Sequence, residues 1–183
     1  MNRAFVYSLL ITGLFVAPAL GQKISTKPSK DETAKDTVIQ ESSFRLVLPG
    51  KWVQKPSTDP TRWVYGHDTE QLTVSLPLGN VRRLTKDEQS KTLGHLEELY
   101  RRAEIRVDDT TATTTSETIF AEADGVLAAR FGGTHPAEKH RFAILLLCSP
   151  SVVASFYYEA FGLTSAGFDA NGRTIMNSIV IPR

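Results

Sequence analysis

Alternating apolar and polar positions predict β-strands in the first half of the chain. Residues 44–48 place Phe, Leu and Leu at every second position and end at a Pro-Gly turn. Residues 63–65 form a short aromatic and β-branched segment before Gly66. Residues 71–78 alternate most regularly, with Leu or Val at each even position. This pattern predicts a strand with one face in the core and one in water.

A helical period follows and predicts a helix over residues 86–104. Thr85 and Glu88 have the spacing of a capping box, in which each residue satisfies a free amide of the other, so the helix begins after Thr85. One apolar stripe of this helix consists of Leu93, Leu96, Tyr100 and Ala103. The next segment, residues 110–115, is rich in threonine and too polar for the core.

The second half of the chain predicts an antiparallel meander. Residues 116–123 and 126–133 flank Asp124–Gly125, which is the dipeptide of a two-residue type I′ hairpin turn. Residues 135–139 contain a proline and predict a further turn. Residues 142–148 are continuously apolar, as expected of a central strand that is covered on both faces.

The chain closes with a strand, a helix and a short apolar tail. Residues 152–160 form the strand, which places Phe156 and Tyr158 on one face and Tyr157 on the other. The helix spans residues 165–176, and residues 179–181 are apolar. The element order predicts an α+β fold: an antiparallel β-sheet of about six to seven strands with two helices packed on its faces.

The first 21 residues have the three-part pattern of a cleaved secretory signal peptide. Residues 4–16 form an apolar core that is shorter than the about 20 residues of a membrane span. Small residues before Gln22 place cleavage after Gly21, with Ala19 as the alternative, and an uncleaved anchor is the competing interpretation. Gln22 stands where a lipoprotein would have cysteine, so we expect a secreted or periplasmic protein without a stable membrane anchor.

The sequence predicts three segments. Residues 1–21 are the signal peptide, and residues 22–41 are a polar leader that cannot bury enough surface to offset its chain entropy. Residues 42–183 form a single α+β sandwich domain.

The arrangement resembles a known superfamily. An opening strand ends in Pro-Gly before a tryptophan, in the sequence FRLVLPGKW of residues 44–52. An aromatic strand, an alternating strand, a long helix, a hairpin meander and a closing helix with the tail of residues 175–179 follow. This order, over about residues 42–182, resembles the Mog1/PsbP-like α/β/α sandwich, which includes the DcrB-like envelope proteins. The resemblance implies a non-enzymatic binding or accessory protein and transfers no functional residue, because the matching positions are structural.

Composition narrows the function classes. The 21 basic and 20 acidic residues give a net charge of +1, so no electrostatic footprint for nucleic acid is present. The basic pairs Arg82–Arg83 and Arg101–Arg102 are predicted to be solvated surface arginines. Cys148 is the single cysteine, which excludes an intrachain disulfide, a thiolate zinc site and a Cys-x-x-Cys redox pair.

A histidine-rich segment is the first candidate for chemistry. His135, Glu138 and His140 are residue types that zinc accepts. The proline in this segment forces a turn and no assured third ligand is present, so two histidines in an exposed hairpin loop are the simpler interpretation.

Two further candidates have simpler structural interpretations. His67 followed by Asp68 supplies a base and an orienting acid, but no nucleophile motif accompanies them, and a hairpin loop explains the pair. Cys148 ends an apolar segment without a nearby cation, which favours a buried structural thiol.

The remaining polar motifs are weaker. Glu97–Glu98 and Asp108–Asp109 are pairs of adjacent carboxylates. Neighbours on a helix point about 100° apart, so Glu97 and Glu98 cannot share a site and are predicted to be solvated. Residues 169–172 match only part of a calcium loop, and Gly132–Gly133 lack the context of a phosphate loop. The strand aromatics are predicted to pack mainly in the core, although an exposed cluster of them would be a recognition surface: Trp52, Trp63, Tyr65, Tyr157 and Tyr158.

The sequence therefore favours an exported, soluble, non-enzymatic binding or accessory protein of the cell envelope. Its expected partner is a protein or envelope component that contacts the sheet or the sheet edge, and no cofactor or catalytic residue is assigned. One alternative is a hydrolase that uses His135, Glu138 and His140 with a metal, or His67 with Asp68. A second alternative is an interbacterial immunity or chaperone-like protein.

Overall fold

The computed structural model describes residues 35–77, 83–104, 114–135 and 138–181. Their secondary structure, in chain order, is β1 (Thr37–Gln40), β2 (Arg45–Leu48), β3 (Val53–Lys55), β4 (Arg62–His67), β5 (Glu70–Ser75), α1 (Lys86–Glu104), β6 (Thr114–Thr115), β7 (Ile119–Ala123), β8 (Val126–His135), β9 (His140–Cys148), β10 (Val153–Phe161) and α2 (Ser165–Asn177).

Eight of these strands form one antiparallel sheet in the order β3-β4-β5-β10-β9-β8-β6, and β7 also pairs with β8. The strands β6 and β7 share one position, because both pair with β8 on the side opposite β9. β1 and β2 form a separate two-stranded sheet. The predicted α+β sandwich is thereby confirmed. The predicted opening strand of residues 44–48 corresponds to β2 and lies outside the main sheet.

The central strand β9 is buried along nearly its whole length, as its apolar sequence predicts. Its residues Phe142, Ile144 and Leu146 pack with Leu93 and Leu96 of α1. The side chains between them face α2 and the β1–β2 sheet, so each face of the main sheet has its own core. We call these the α1 face and the α2 face.

The capping box starts α1 as the sequence predicts. The Thr85 N–H donates to Glu88 Oε2 at 2.9 Å, and the Glu88 N–H donates to Thr85 Oγ1 at 3.4 Å. The helix spans the predicted residues 86–104. The box therefore fixes the residue at which α1 begins.

Tyr158 of β10 attaches α2 to the sheet. Its ring stacks on Phe168 with the centroids 4.9 Å apart, and its hydroxyl donates to the buried Glu70 carboxylate. Asn171 Nδ2 donates to the same carboxylate at 3.0 Å. A Cβ on Gly172 would lie 3.3 Å from the Tyr158 ring, so the helix approaches the sheet closely here. Burial and the Glu70 carboxylate raise the pKa of Tyr158, which keeps its hydroxyl a donor.

The predicted start of the domain is wrong by several residues. Residues 37–40 were expected in a flexible leader, but they form β1, which pairs with β2 in the register Ile39–Leu46. Ile39 is buried because this pairing gives it a partner surface that the local sequence does not contain. The signal peptide and residues 22–34 of the leader lie outside the described residues.

Two residues predicted to be solvated on α1 are not. The Arg101 guanidinium lies 4.7 Å from the centroid of the Phe131 ring, and its Nε donates to Glu97 Oε1 at 2.8 Å. Its Nη1 donates to Thr115 Oγ1 at 3.0 Å. The pair thus ties α1 to β6, whereas their neighbours Arg102 and Glu98 form an exposed ion pair, as predicted.

Other expectations differ in detail. The threonine-rich segment was predicted as a polar connector, yet its end, Thr114–Thr115, forms β6. The strand β3 was not predicted. The polar face of β5 was expected in water. Thr73 on this face is buried, however, between its partners in the neighbouring strands, Val64 of β4 and Tyr157 of β10. Residues 78, 82 and 108–113, which carry several predictions, lie outside the described part of the chain.

We expect Gly132→Ala to destabilise the fold. A Cβ at this position would lie 2.7 Å from the Phe142 carbonyl oxygen, so β8 and β9 would have to move apart. The free energy of unfolding in urea should fall by about 1–3 kcal/mol. Gly94→Ala is the matched control: nothing lies within 4 Å of its Cβ, and in mid-helix it should raise the stability by roughly 0.5–1 kcal/mol. An unchanged stability of Gly132→Ala would contradict the close approach.

Candidate functional site

His135 and His140 lie directly opposite each other at the ends of β8 and β9. Their rings stack with centroids 5.1 Å apart and planes inclined by 5°. They are only 2% and 4% exposed, so the prediction of two histidines in an exposed loop is wrong. Residues 136 and 137 of the predicted turn lie outside the described residues, but the pairing of the strands continues to both histidines and places them beneath the end of α1.

Each imidazole contacts one carboxylate. His135 Nε2 lies 3.0 Å from Glu104 Oε2 at the end of α1, and His140 Nε2 lies 3.1 Å from Glu159 Oε2 on β10. The first contact joins β8 to the end of α1, and the second joins β9 to β10. They are partners that the local sequence around the histidines does not contain.

The polar contacts continue across the α1 face toward the other edge of the sheet. Gln71 Nε2 donates to Glu159 Oε1 at 2.8 Å, and Lys55 Nζ donates to Gln71 Oε1 at 3.0 Å. The Lys55 side chain crosses Gly66, where a Cβ would lie 2.4 Å from Lys55 Cε. We call this set the polar row: Lys55, Gln71, Glu159, His140, His135 and Glu104.

The polar row is built for structure rather than for metal binding. Stacked parallel rings direct their nitrogens side by side instead of toward one point, and each Nε2 already contacts its own carboxylate. Glu138, the third residue of the predicted zinc set, is exposed in the turn. Within the described residues, no group of three His, Cys, Asp or Glu side chains is arranged to hold a metal ion.

His67 is the last residue of β4, and Asp68 begins the β4–β5 turn, as the hairpin interpretation predicts. Asp68 has φ 49°, and its carboxylate lies 3.7 Å from His67 Nε2. The other ring nitrogen, Nδ1, lies 3.0 Å from the Lys51 carbonyl oxygen, so its N–H donates to the backbone. His67 faces α2 whereas His140 faces α1, three strands away, and the two candidate catalytic sets do not converge.

Cys148 is buried, as predicted, at the opposite end of β9 from His140. Eight residues of strand separate the two by about 26 Å. Burial raises the pKa of the thiol to about 11, so Cys148 stays protonated and unreactive at neutral pH.

The weaker motifs are structural. Residues 169–172 lie inside α2 rather than in a calcium loop, and Gly132 belongs to β8. The five strand aromatics form no exposed cluster. Three of them are buried, namely Trp52, Tyr65 and Tyr158, and two are half-buried, namely Trp63 and Tyr157.

The candidate interaction site is the outer strand β7, which sequence analysis did not single out. All five of its residues are exposed, and Ile119 and Phe120 are 68% and 61% exposed. They lie on opposite faces of the sheet, because successive residues of a strand alternate. The apolar pair is visible in the sequence, but nothing local indicates that its strand lies at the edge.

The two edges of the sheet differ in protection. The strand β3 has three residues, ends at Lys55 and is followed by Pro56, features that block pairing with another chain. The strand β7 has one charged residue, Glu122, whose carboxylate lies 2.8 Å from Lys86 Nζ. The edge at β7 is therefore apolar, locally neutral and open within the described residues.

We expect Cys148 to react slowly in the folded protein. Its pKa of about 11 lies well above the ordinary thiol value of 9.0, so the thiolate fraction at pH 8 is about 100-fold lower than in the unfolded chain. The rate with a thiol-specific reagent at pH 8 should be at least that much lower before than after denaturation. Equal rates would contradict the burial of Cys148.

Comparison with known proteins supports the fold. No family model matches the sequence, and no curated protein is significantly similar to it. The chain is similar to the solution structure of cyanobacterial PsbP (CyanoP) from Synechocystis sp. PCC 6803, with a TM-score of 0.56 and 8% sequence identity. The match covers 87% of this chain and 99% of that one. In the described ranges, no helix is long and apolar enough to cross a membrane. The chain therefore has a PsbP-like fold, and at this identity the likeness extends to the fold alone.

Proposed function

We propose that this chain is an exported, non-enzymatic binding protein that pairs an extended segment of a partner protein with the outer edge of β7. The observation that carries the proposal is the combination of an open strand edge with two exposed apolar side chains, Ile119 and Phe120.

The backbone of β7 supplies the affinity. In an antiparallel sheet, every second residue of an outer strand directs its N–H and C=O groups away from its neighbour. A partner strand satisfies these groups by extending the sheet, which is a known mode of peptide recognition. The five residues of β7, Ile119–Ala123, offer enough length for such pairing.

The side chains of β7 define the partner segment. A strand added at this edge lies beside Ile119 on the α2 face and beside Phe120 on the α1 face. Because both side chains are apolar, the segment should have apolar residues at neighbouring positions, so that each face gains a buried cross-strand pair. The Lys86–Glu122 ion pair leaves no net charge on the strand to repel it.

Export rests on separate grounds. The pattern of residues 1–21 supports delivery by a cleaved signal peptide, and Gln22 supports a soluble product without a lipid anchor. N-terminal sequencing of the secreted or periplasmic protein should begin at Gln22, or at Leu20 if the alternative site is used. An unprocessed Met1 terminus would contradict export by this route without affecting the proposed edge.

The edge is tested by photo-cross-linking in the producing cell. A p-benzoylphenylalanine at position 120 should form an adduct with one extended segment of another protein, identified by mass spectrometry. The matched control places it at position 53 of β3, where Val53 is 60% exposed, and should give no such adduct. An adduct of position 120 with a second copy of this chain, or none, would overturn the proposal.

The purified pair then tests the mode of binding. A synthetic peptide with the sequence of the cross-linked segment should slow amide hydrogen exchange at alternate residues of 119–123. Ile119→Lys with Phe120→Lys should weaken the peptide at least tenfold and leave the Tm unchanged, because both side chains are exposed in the free protein. Binding that leaves these amides unprotected would contradict strand addition.

A further inference from the structure

The α2 face of the sheet has an open groove of about 600 Å³ beside α2. Its floor is formed by β8 and β9, one wall by α2 and the other by residues 115–119. The groove exists because α2 packs over β9 and β10 and does not extend to β8. Its volume is in the range of small-molecule sites.

Two arginines face this groove from the neighbouring strands. Arg141 of β9 pairs with Thr134 of β8. Arg130 lies four residues before Thr134 on β8 and therefore on the same face of the sheet. Both are half-buried, and neither guanidinium has a hydrogen bond or an ion pair within the residues that the structure describes. Both guanidiniums therefore line the groove without a protein partner and are available to pair with an anionic ligand.

The charge around the groove is strongly biased. Arg173 of α2 adds a third guanidinium, whose Nε donates to the Asp169 carbonyl oxygen at 3.1 Å. Asp169 is the one acidic residue among the groove's described lining residues. A guanidinium presents paired donors that match a carboxylate or a phosphate, so the groove favours these two groups.

The spacing of the arginines favours an elongated ligand. Arg141 lies opposite Thr134, which is four residues from Arg130 along β8. The backbone positions of Arg130 and Thr134 are therefore about 13 Å apart along the strand. Between the arginines, the floor consists of Gly132 and Ala143, which carry almost no side chain. A ligand can therefore lie flat on the backbone, with an acidic group at each end.

The apolar lining suits the middle of such a ligand. Phe168 on α2 and Ile119 on the opposite wall both line the groove. We propose that this groove binds a small organic dianion, whose two carboxylate or phosphate groups pair with Arg130 and Arg141 and whose apolar middle lies across Gly132. This site shares Ile119 with the β7 edge but not Phe120, which faces the other side of the sheet.

Isothermal titration of the mature chain with two dianions and a monoanion tests the proposal. The probes are heptanedioate, 1,5-pentanediol bis(methyl phosphate), whose two phosphodiester groups carry one charge each, and heptanoate. At least one dianion should bind with a Kd of about 1 mM or below and at least tenfold more tightly than heptanoate. The stronger of the two dianions identifies carboxylate or phosphate as the natural group. Failure of both dianions, or equal affinity for heptanoate, would overturn the proposal.

Variants then locate the site. Arg130→Gln and Arg141→Gln should each weaken the dianion at least tenfold, while Arg102→Gln on the exposed face of α1 should leave its Kd unchanged. The Tm of the two groove variants should stay the same, because neither guanidinium has a hydrogen bond or an ion pair to lose within the described residues. A dianion that binds all variants equally would contradict the proposed site.

Two controls distinguish the groove from the β7 edge and from a surface that binds acidic peptides. Because Ile119 belongs to both sites, the control is Phe120→Lys alone: it should weaken the proposed strand addition and leave the dianion affinity unchanged, so the two proposals fail independently. Hexaglutamate, as an acidic peptide, should bind no more tightly than heptanoate. If it binds while both dianions fail, the groove holds an acidic segment of a protein and the small-ligand proposal is wrong.

Discussion

The burial of β9 on both faces is the constraint on which the rest of the structure depends. A strand with seven consecutive apolar residues, 142–148, needs cover on each side. The sheet has seven strand positions and is therefore roughly 30 Å wide, whereas a helix with its side chains is about 10 Å wide. One helix per face covers β9 and its neighbours but not the whole sheet. On the α1 face the cover ends toward β5 and β3, and on the α2 face it ends toward β8 and β7.

The two ends of this cover are used differently. On the α1 face, the polar row occupies the end of the cover, and each of its buried imidazoles contacts a carboxylate. Such contacts offset the cost of burying polar groups, and together with the stacked rings they join α1, β8, β9 and β10 in one network. On the α2 face, Arg130 and Arg141 have no such partners within the described residues. Access separates the candidate binding site from the structural cluster, because the arginines line an open groove whereas the histidines are buried beneath the end of α1. The histidines are nevertheless the more conspicuous feature of the sequence.

Local features of the fold could be predicted from the sequence, and features set by pairing could not. The capping box at Thr85, the Asp124–Gly125 turn and the apolar strand β9 each depend on residues close together in the chain, and all three were confirmed. Ile39 was expected in a leader because its burial depends on β2. His135 and His140 were expected in a loop because their burial depends on α1 and β10. The arginine groove depends on register: a β8–β9 turn one residue longer or shorter would put Arg130 and Arg141 on opposite faces.

The core also explains why the fold is independent of the redox state of its compartment. With Cys148 as the single cysteine, no intrachain disulfide can form, and burial raises the pKa of that thiol to about 11. The thiol is therefore protected from oxidants that attack thiolates. The stability comes from two apolar cores that share β9, and these form equally well under oxidising and reducing conditions. Export is consequently compatible with the fold but not required by it, and the first 21 residues alone support it.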